Sequence, residues 1–139
     1  MRILVVEDDP SQRSALIALL ELESHTPVGA GSLKAAGSKF ADLPFDLVLL
    51  DYNLRDAKAP QVVARIREIE GDRNAVESCP IVFISGSADL VKTDRGYEFD
   101  DHRDEGARLG VVAHVEKPID LDELLRVIEA HGRKRRCDQ

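Results

Sequence analysis

Phe45-Asp46-Leu47-Val48-Leu49-Leu50-Asp51 (FDLVLLD) sets an apolar run between acids, and five of its seven residues are apolar. Phe45–Leu50 reads as a strand buried on both faces. A carboxylate at the edge of such a strand is costly unless something compensates it. What Asp51 faces is the question the rest of the chain has to answer.

Outward from that run, short apolar stretches alternate with stretches of helical periodicity. Arg2–Val6, Thr26–Ala30, Pro80–Ser85 and Val111–Val115 are the other strand candidates, the second of them weak and short. Helices are expected over Ser11–Glu23, with Pro10 in the entry turn, and over Ser32–Ala41, capped by Ser32 and weakened by Gly37. Two more are expected over Gln61–Glu70 and over Leu121–His131, capped by Asp120. Strands that are apolar throughout and separated by helices pair in parallel with both sheet faces covered. The expectation is one doubly wound α/β domain of five strands and about five helices over residues 1–131. Residues 132–139 read as a flexible tail whose four consecutive basic residues are solvated, ahead of touching an acidic partner or nucleic acid.

The totals bound the function. The 139 residues carry a net charge of −7, which argues against a surface built to grip nucleic acid phosphates, so no direct DNA binding is expected. No apolar run approaches the roughly 20 residues of a membrane span. Acids in the opening MRILVVEDD argue against export, so the expected location is cytoplasmic. Cys79 and Cys137 lack metal-ligand spacing and read as one semi-buried thiol and one tail thiol in a reducing compartment.

In an open parallel sheet, chemistry sits beyond the carboxyl ends of the strands. Those ends read Glu7-Asp8-Asp9, Asp51, Ser85-Gly86-Ser87 and Glu116-Lys117-Pro118. Adjacent strands lie roughly 4.8 Å apart, so the ends can converge in one cleft. Carboxylates gathered there repel and raise one another's pKa. A divalent cation resolves the conflict, and Mg²⁺, which favours a few carboxylate oxygens and bridges to phosphate, suits it. Ser85 offers a hydroxyl and Lys117 an ammonium to phosphoryl oxygens.

Four stretches, ILVVEDDP, LVLLDYNL, PIVFISG and HVEKP, in this order and each at a strand end, make the chain resemble the receiver domain of bacterial two-component response regulators, of the single-domain type. The resemblance implies a flavodoxin-like sheet of strand order 2-1-3-4-5. It implies that Asp51 accepts a phosphoryl group from a sensor histidine kinase or a phosphotransfer protein. Asp8, Asp51 and the backbone carbonyl of Asn53 would bind Mg²⁺, with Glu7 helping through water and Asp9 left as a solvated extra acid. Lys117, before a cis Pro118, would offset phosphoryl charge. Ser85 would turn toward the new group and shift the surface of the fourth helix, fifth strand and fifth helix, where a downstream protein binds. Such a domain is a phosphoacceptor rather than an enzyme acting on other molecules, and is a monomer or a phosphorylation-dependent dimer.

The pattern has departures. His114 stands where the family commonly carries a switching Tyr or Phe, and reads equally as a swinging imidazole or a plain strand histidine. Arg55 and Ala59 replace the usual proline and glycine after the acceptor. The interval from Ser85 to Lys117 exceeds the usual receiver spacing by about ten residues. The surplus falls on the acidic stretch Lys92–Glu105, where the fourth helix should be. That stretch reads as a mobile loop anchored by Tyr97 and Phe99, or as a longer loop without a role. Two other functions fit less well. A phosphorylation-independent pseudo-receiver would not need the complete acidic set. An aspartyl phosphohydrolase of the haloacid-dehalogenase type would want DxD after the first strand, where this chain has Glu7-Asp8-Asp9-Pro10.

Overall fold

The computed structural model describes residues 1–52, 54, 57–72, 78–85, 90–93, 96–99 and 111–132, with 85, 90–93 and 96–99 described by backbone only. The apolar runs are strands because each alternate residue has its own helix layer to enter. In β1 (Arg2–Val6), Leu4 and Val6 pack on one side of the sheet and Ile3 and Val5 on the other. In β3 (Leu47–Asp51), Val48 and Leu50 join the first layer and Leu47 and Leu49 the second. β4 (Ile81–Ser85) divides Ile81 and Phe83 from Val82 and Ile84 in the same way. β2 (Thr26–Ala30) and β7 (Val111–Glu116) are the edges. Every pairing in this sheet is parallel, in the order β2-β1-β3-β4-β7, the flavodoxin-like order that the resemblance implies.

Among the described residues, two helices cover each face. Ala36 and Phe40 of α2 (Leu33–Asp42) and Val62, Val63 and Ile66 of α3 (Ala59–Asp72) fill the first layer. Leu16 and Leu20 of α1 (Pro10–Leu22) and Leu124 and Ile128 of α4 (Leu121–His131) fill the second. Full burial of such a side chain contributes about 1.5–3 kcal/mol each, so these interdigitated layers dominate the stability. The expected caps are in place: Ser32 Oγ accepts from the Ala35 amide at 3.1 Å, and Asp120 Oδ1 from the Asp122 amide at 2.9 Å. No described helix is long and apolar enough to cross a membrane.

Three expectations are corrected. Leu90–Thr93 (β5) and Gly96–Phe99 (β6) pair as antiparallel strands, where a loop was expected over Lys92–Glu105. The described residues hold four helices. The β-branched Val91 and Thr93 and the aromatic Tyr97 and Phe99 favour extended strands over a loop. The rest of the surplus, 100–110, lies outside the described residues, as do the tail 133–139 and Cys137. Cys79 is fully buried rather than semi-buried, its thiol 3.5 Å from the Phe45 carbonyl oxygen. Finally, the third strand starts two residues later than its apolar run and takes in Asp51, because pairing with β4 runs from Val48 to Asp51.

Candidate functional site

β1 and β3 are neighbours, so their carboxyl ends bring Glu7-Asp8 and Asp51 side by side. One carboxylate oxygen from each of Glu7, Asp8 and Asp51 lies within 4.8 Å of the others. Glu7 and Asp51 are buried and Asp8 is half-buried. Just past β7 stands a cation: Lys117 Nζ lies 3.2 Å from Glu7 Oε2 and 3.5 Å from Asp51 Oδ1. The Lys117–Pro118 peptide is cis, as the resemblance implies.

The electrostatics follow from this crowding. Burial, then contact with and the charge of Glu7, push the Asp51 carboxyl up to about 7, against an opposing pull from Lys117. Burial alone would lower the Lys117 ammonium, but Asp51 and Glu7 together outweigh it and hold its pKa above the ordinary value. Among the described residues, three carboxylates gather here with one ammonium between two of them. All donors are hard oxygens on one small patch, so a divalent cation of the Mg²⁺ type fits both the charge and the ligand chemistry.

The other predicted site residues divide. The backbone places Ser85 at the carboxyl end of β4, in register with Glu116. Asn53 and Ser87 lie outside the described residues. Asp9 is not a solvated extra: it caps α1, Oδ1 accepting from the Ser11 amide at 2.9 Å and the Gln12 amide at 3.3 Å. His114 is half-buried, its ring edge-on to Phe83 with centroids 5.3 Å apart. Phe83 in turn meets Tyr52, next to Asp51, edge-on at 5.6 Å.

Sequence reasoning missed Arg13, whose Nη1 donates to the Glu7 carbonyl oxygen at 2.8 Å. A lone arginine on a helix gives no signal of that. It also missed an apolar groove of about 390 Å³ beside the acids, where Leu16 and Leu19 of α1 face Pro118, Ile119 and Leu121. Lys117 lines both the groove and the acidic site.

A family model of the response regulator receiver domain matches residues 3–129. The chain belongs to that family. As a receiver domain it is a signalling module of phosphorylation-based two-component systems. The cell cycle response regulator CtrA of Brucella ovis is 30% identical to it over 135 residues, covering 96% of this chain and 51% of that protein. The chain thus spans about half the length of the curated relatives it matches. Among solved structures, a response regulator receiver protein from Pseudomonas putida superposes on this receiver with a TM-score of 0.73 at 25% identity, covering 93% of this chain and 95% of that one. The non-phosphorylated HemR receiver domain of Leptospira biflexa gives 0.73 at 28% identity, covering 93% and 91%.

Proposed function

We propose that this receiver is a phosphorylation switch in which Asp51 is the phosphoacceptor. The observation that carries it is the convergence of Glu7, Asp8 and Asp51 beside the Lys117 ammonium at the carboxyl end of the sheet. Asp8, Asp51 and the Asn53 carbonyl would hold Mg²⁺, with Glu7 acting through water. When bound, the metal supplies charge neutralisation for the anionic oxygens of the phosphoryl donor.

The chain's own groups account for the rest. The Asp51 carboxylate attacks the phosphorus of a phosphohistidine on a kinase or phosphotransfer protein. The P–N bond breaks as the P–O bond forms, and the imidazole leaves with its electron pair. Asp51 must be ionised to attack, and Lys117 favours that form. Lys117, shared in the resting state between Glu7 and Asp51, is placed to take up a phosphoryl oxygen. Ser85, one strand over, would donate a hydrogen bond to the new group. The phosphoryl group adds about −1.5 to −2 charges, enough to bias a two-state surface. The output passes to a protein partner through the face of β7, α4 and the segment before β7, in the cytoplasm. The apolar groove between α1 and the β7–α4 turn supports protein docking beside the acceptor.

Intact-mass measurement after incubation with acetyl phosphate and Mg²⁺ tests the reading. One added phosphoryl group is expected on the parent chain and none on Asp51→Asn. Equal labelling of that variant would move the acceptor elsewhere, and no labelling of the parent would favour a phosphorylation-independent binding module.

A further inference from the structure

The acidic turn after β1 has a mechanical problem. Glu7 is anchored by its strand, its amide donating to the Ala30 carbonyl oxygen at 3.0 Å. Asp8 follows the strand on a turn, half-buried, within reach of two other carboxylates that repel it. Beyond strand pairing, the turn is held from within by Glu7 Oε1, which accepts from the Asp9 amide at 3.2 Å.

Arg13 grips the turn at both ends. Its backbone amide donates to the Asp9 carbonyl oxygen at 2.9 Å, as the first turn of α1 requires. Its guanidinium folds back along the helix, and Nη1 donates to the Glu7 carbonyl oxygen at 2.8 Å. Asp8 is thus bracketed by two peptide groups that one residue fixes. A guanidinium suits this task, since its bond is charge-assisted and its planar fork loses less freedom per bond than an ammonium would.

The chain makes room for this arrangement. A Cβ at Gly31 would lie 2.8 Å from Arg13 Nη1, and one at Gly29 would lie 3.1 Å from Arg13 Cδ. The sequence Gly29-Ala30-Gly31 at the end of β2 is therefore a cradle for the arginine stem and head. Arg13 does not act on the acceptor directly, for the charged groups that shift Asp51 are Glu7 and Lys117.

We infer that Arg13 is a positioning residue of the phosphorylation site: seated in the Gly29–Gly31 cradle, it clamps the Glu7 carbonyl and holds Asp8 ready for the divalent cation. The inference rests on the reading of Glu7, Asp8 and Asp51 as a cation site, and its test separates the two.

Arg13→Met keeps the apolar stem against Gly29 and removes the donor. In the metal-free protein, the amides of Glu7 and Asp9 should exchange roughly tenfold faster, while those of β3 stay protected. Mg²⁺ alone, titrated by calorimetry, should bind roughly tenfold more weakly. The rate of phosphorylation by acetyl phosphate should recover at saturating Mg²⁺, a split that a general loss of structure would not give. Parental exchange and parental Mg²⁺ affinity in Arg13→Met would overturn the inference. Should Arg13→Met melt far below the parent, Gly31→Ala takes its place by displacing the guanidinium from the other side. Faster exchange at Glu7 and Asp9 in that variant supports the clamp, and parental exchange there removes it. A parent chain that binds no Mg²⁺ would sink the cation reading, while the metal-free exchange data still decide the role of Arg13.

Discussion

The two ends of the central sheet each bury carboxylates, and they treat them in opposite ways. At the amino end, Asp46 Oδ2 accepts from the Arg2 amide at 2.9 Å. Glu70 Oε2 accepts from the Cys79 amide at 2.6 Å, and its Oε1 pairs with Arg67 at 2.8 Å. Arg67 also donates to the Cys79 carbonyl oxygen, so the entrance to β4 is tied from both sides. At the carboxyl end, Glu7 and Asp51 share one lysine and face a third acid. Buried acids whose oxygens meet donors hold the fold together. Buried acids gathered with other acids around a lysine form a cluster whose oxygens suit a divalent cation.

Asp8→Asn attacks the carboxyl end and has the largest expected effect. Phosphorylation by acetyl phosphate at low Mg²⁺ should fall by about 100-fold or more, since a direct ligand matters at least as much as the groups that support it. The metal-free fold should become slightly more stable, because one repelling charge is gone. Normal phosphorylation in this variant would remove Asp8 from the site and blur the contrast between the two ends.

Glu70→Ala attacks the satisfied end. It strands the Cys79 amide and leaves Arg67 without its carboxylate, which should cost about 3 kcal/mol in denaturant unfolding. Phosphorylation of the folded fraction should be unchanged. A large loss of labelling per folded molecule would mean that Glu70 serves the site and not only the fold.

The pH dependence of stability sharpens the same contrast. Asp51 carries a folded-state pKa of about 7, above its ordinary value of 3.8. A raised pKa contributes stability that is fully present below the unfolded value and is lost as the pH rises through the folded one. The metal-free parent should therefore lose on the order of 2 kcal/mol between about pH 4 and pH 8, relative to Asp51→Asn. Identical pH profiles for the two proteins would show that Asp51 carries no strain.

Lys117→Ala should have the smallest effect on the resting protein. The Asp51 carboxyl loses its cation, so its titration midpoint, followed by carboxyl NMR, should rise by about half a pH unit. An unmoved midpoint would make Lys117 a bystander in the resting state.

Much of this was legible in the sequence, for a local reason. Runs such as RILVV and LVLLD are strands wherever both faces are covered, and their order along the chain placed Glu7, Asp8, Asp51 and Lys117 at strand ends before any contact was known. The caps Ser32 and Asp120 were legible too, because a cap bonds to its own helix within three residues. Asp9 was misread although it obeys the same rule, since its neighbours made it look like one more site acid. The pairing of Leu90–Thr93 with Gly96–Phe99 escaped because the many acids of that stretch read as a loop.

The sequence by itself determined the elements, the parallel sheet and which acids stand at its carboxyl end, because periodicity and caps act over a few residues. Contacts distant in sequence decided which buried acids are tied into the fold and which are gathered with one another. Glu70 meets Cys79, Arg13 meets Glu7, and Lys117 meets Glu7 across a separation of 110 residues. Desolvation and charge depend on distance in space, and no local pattern carries that information.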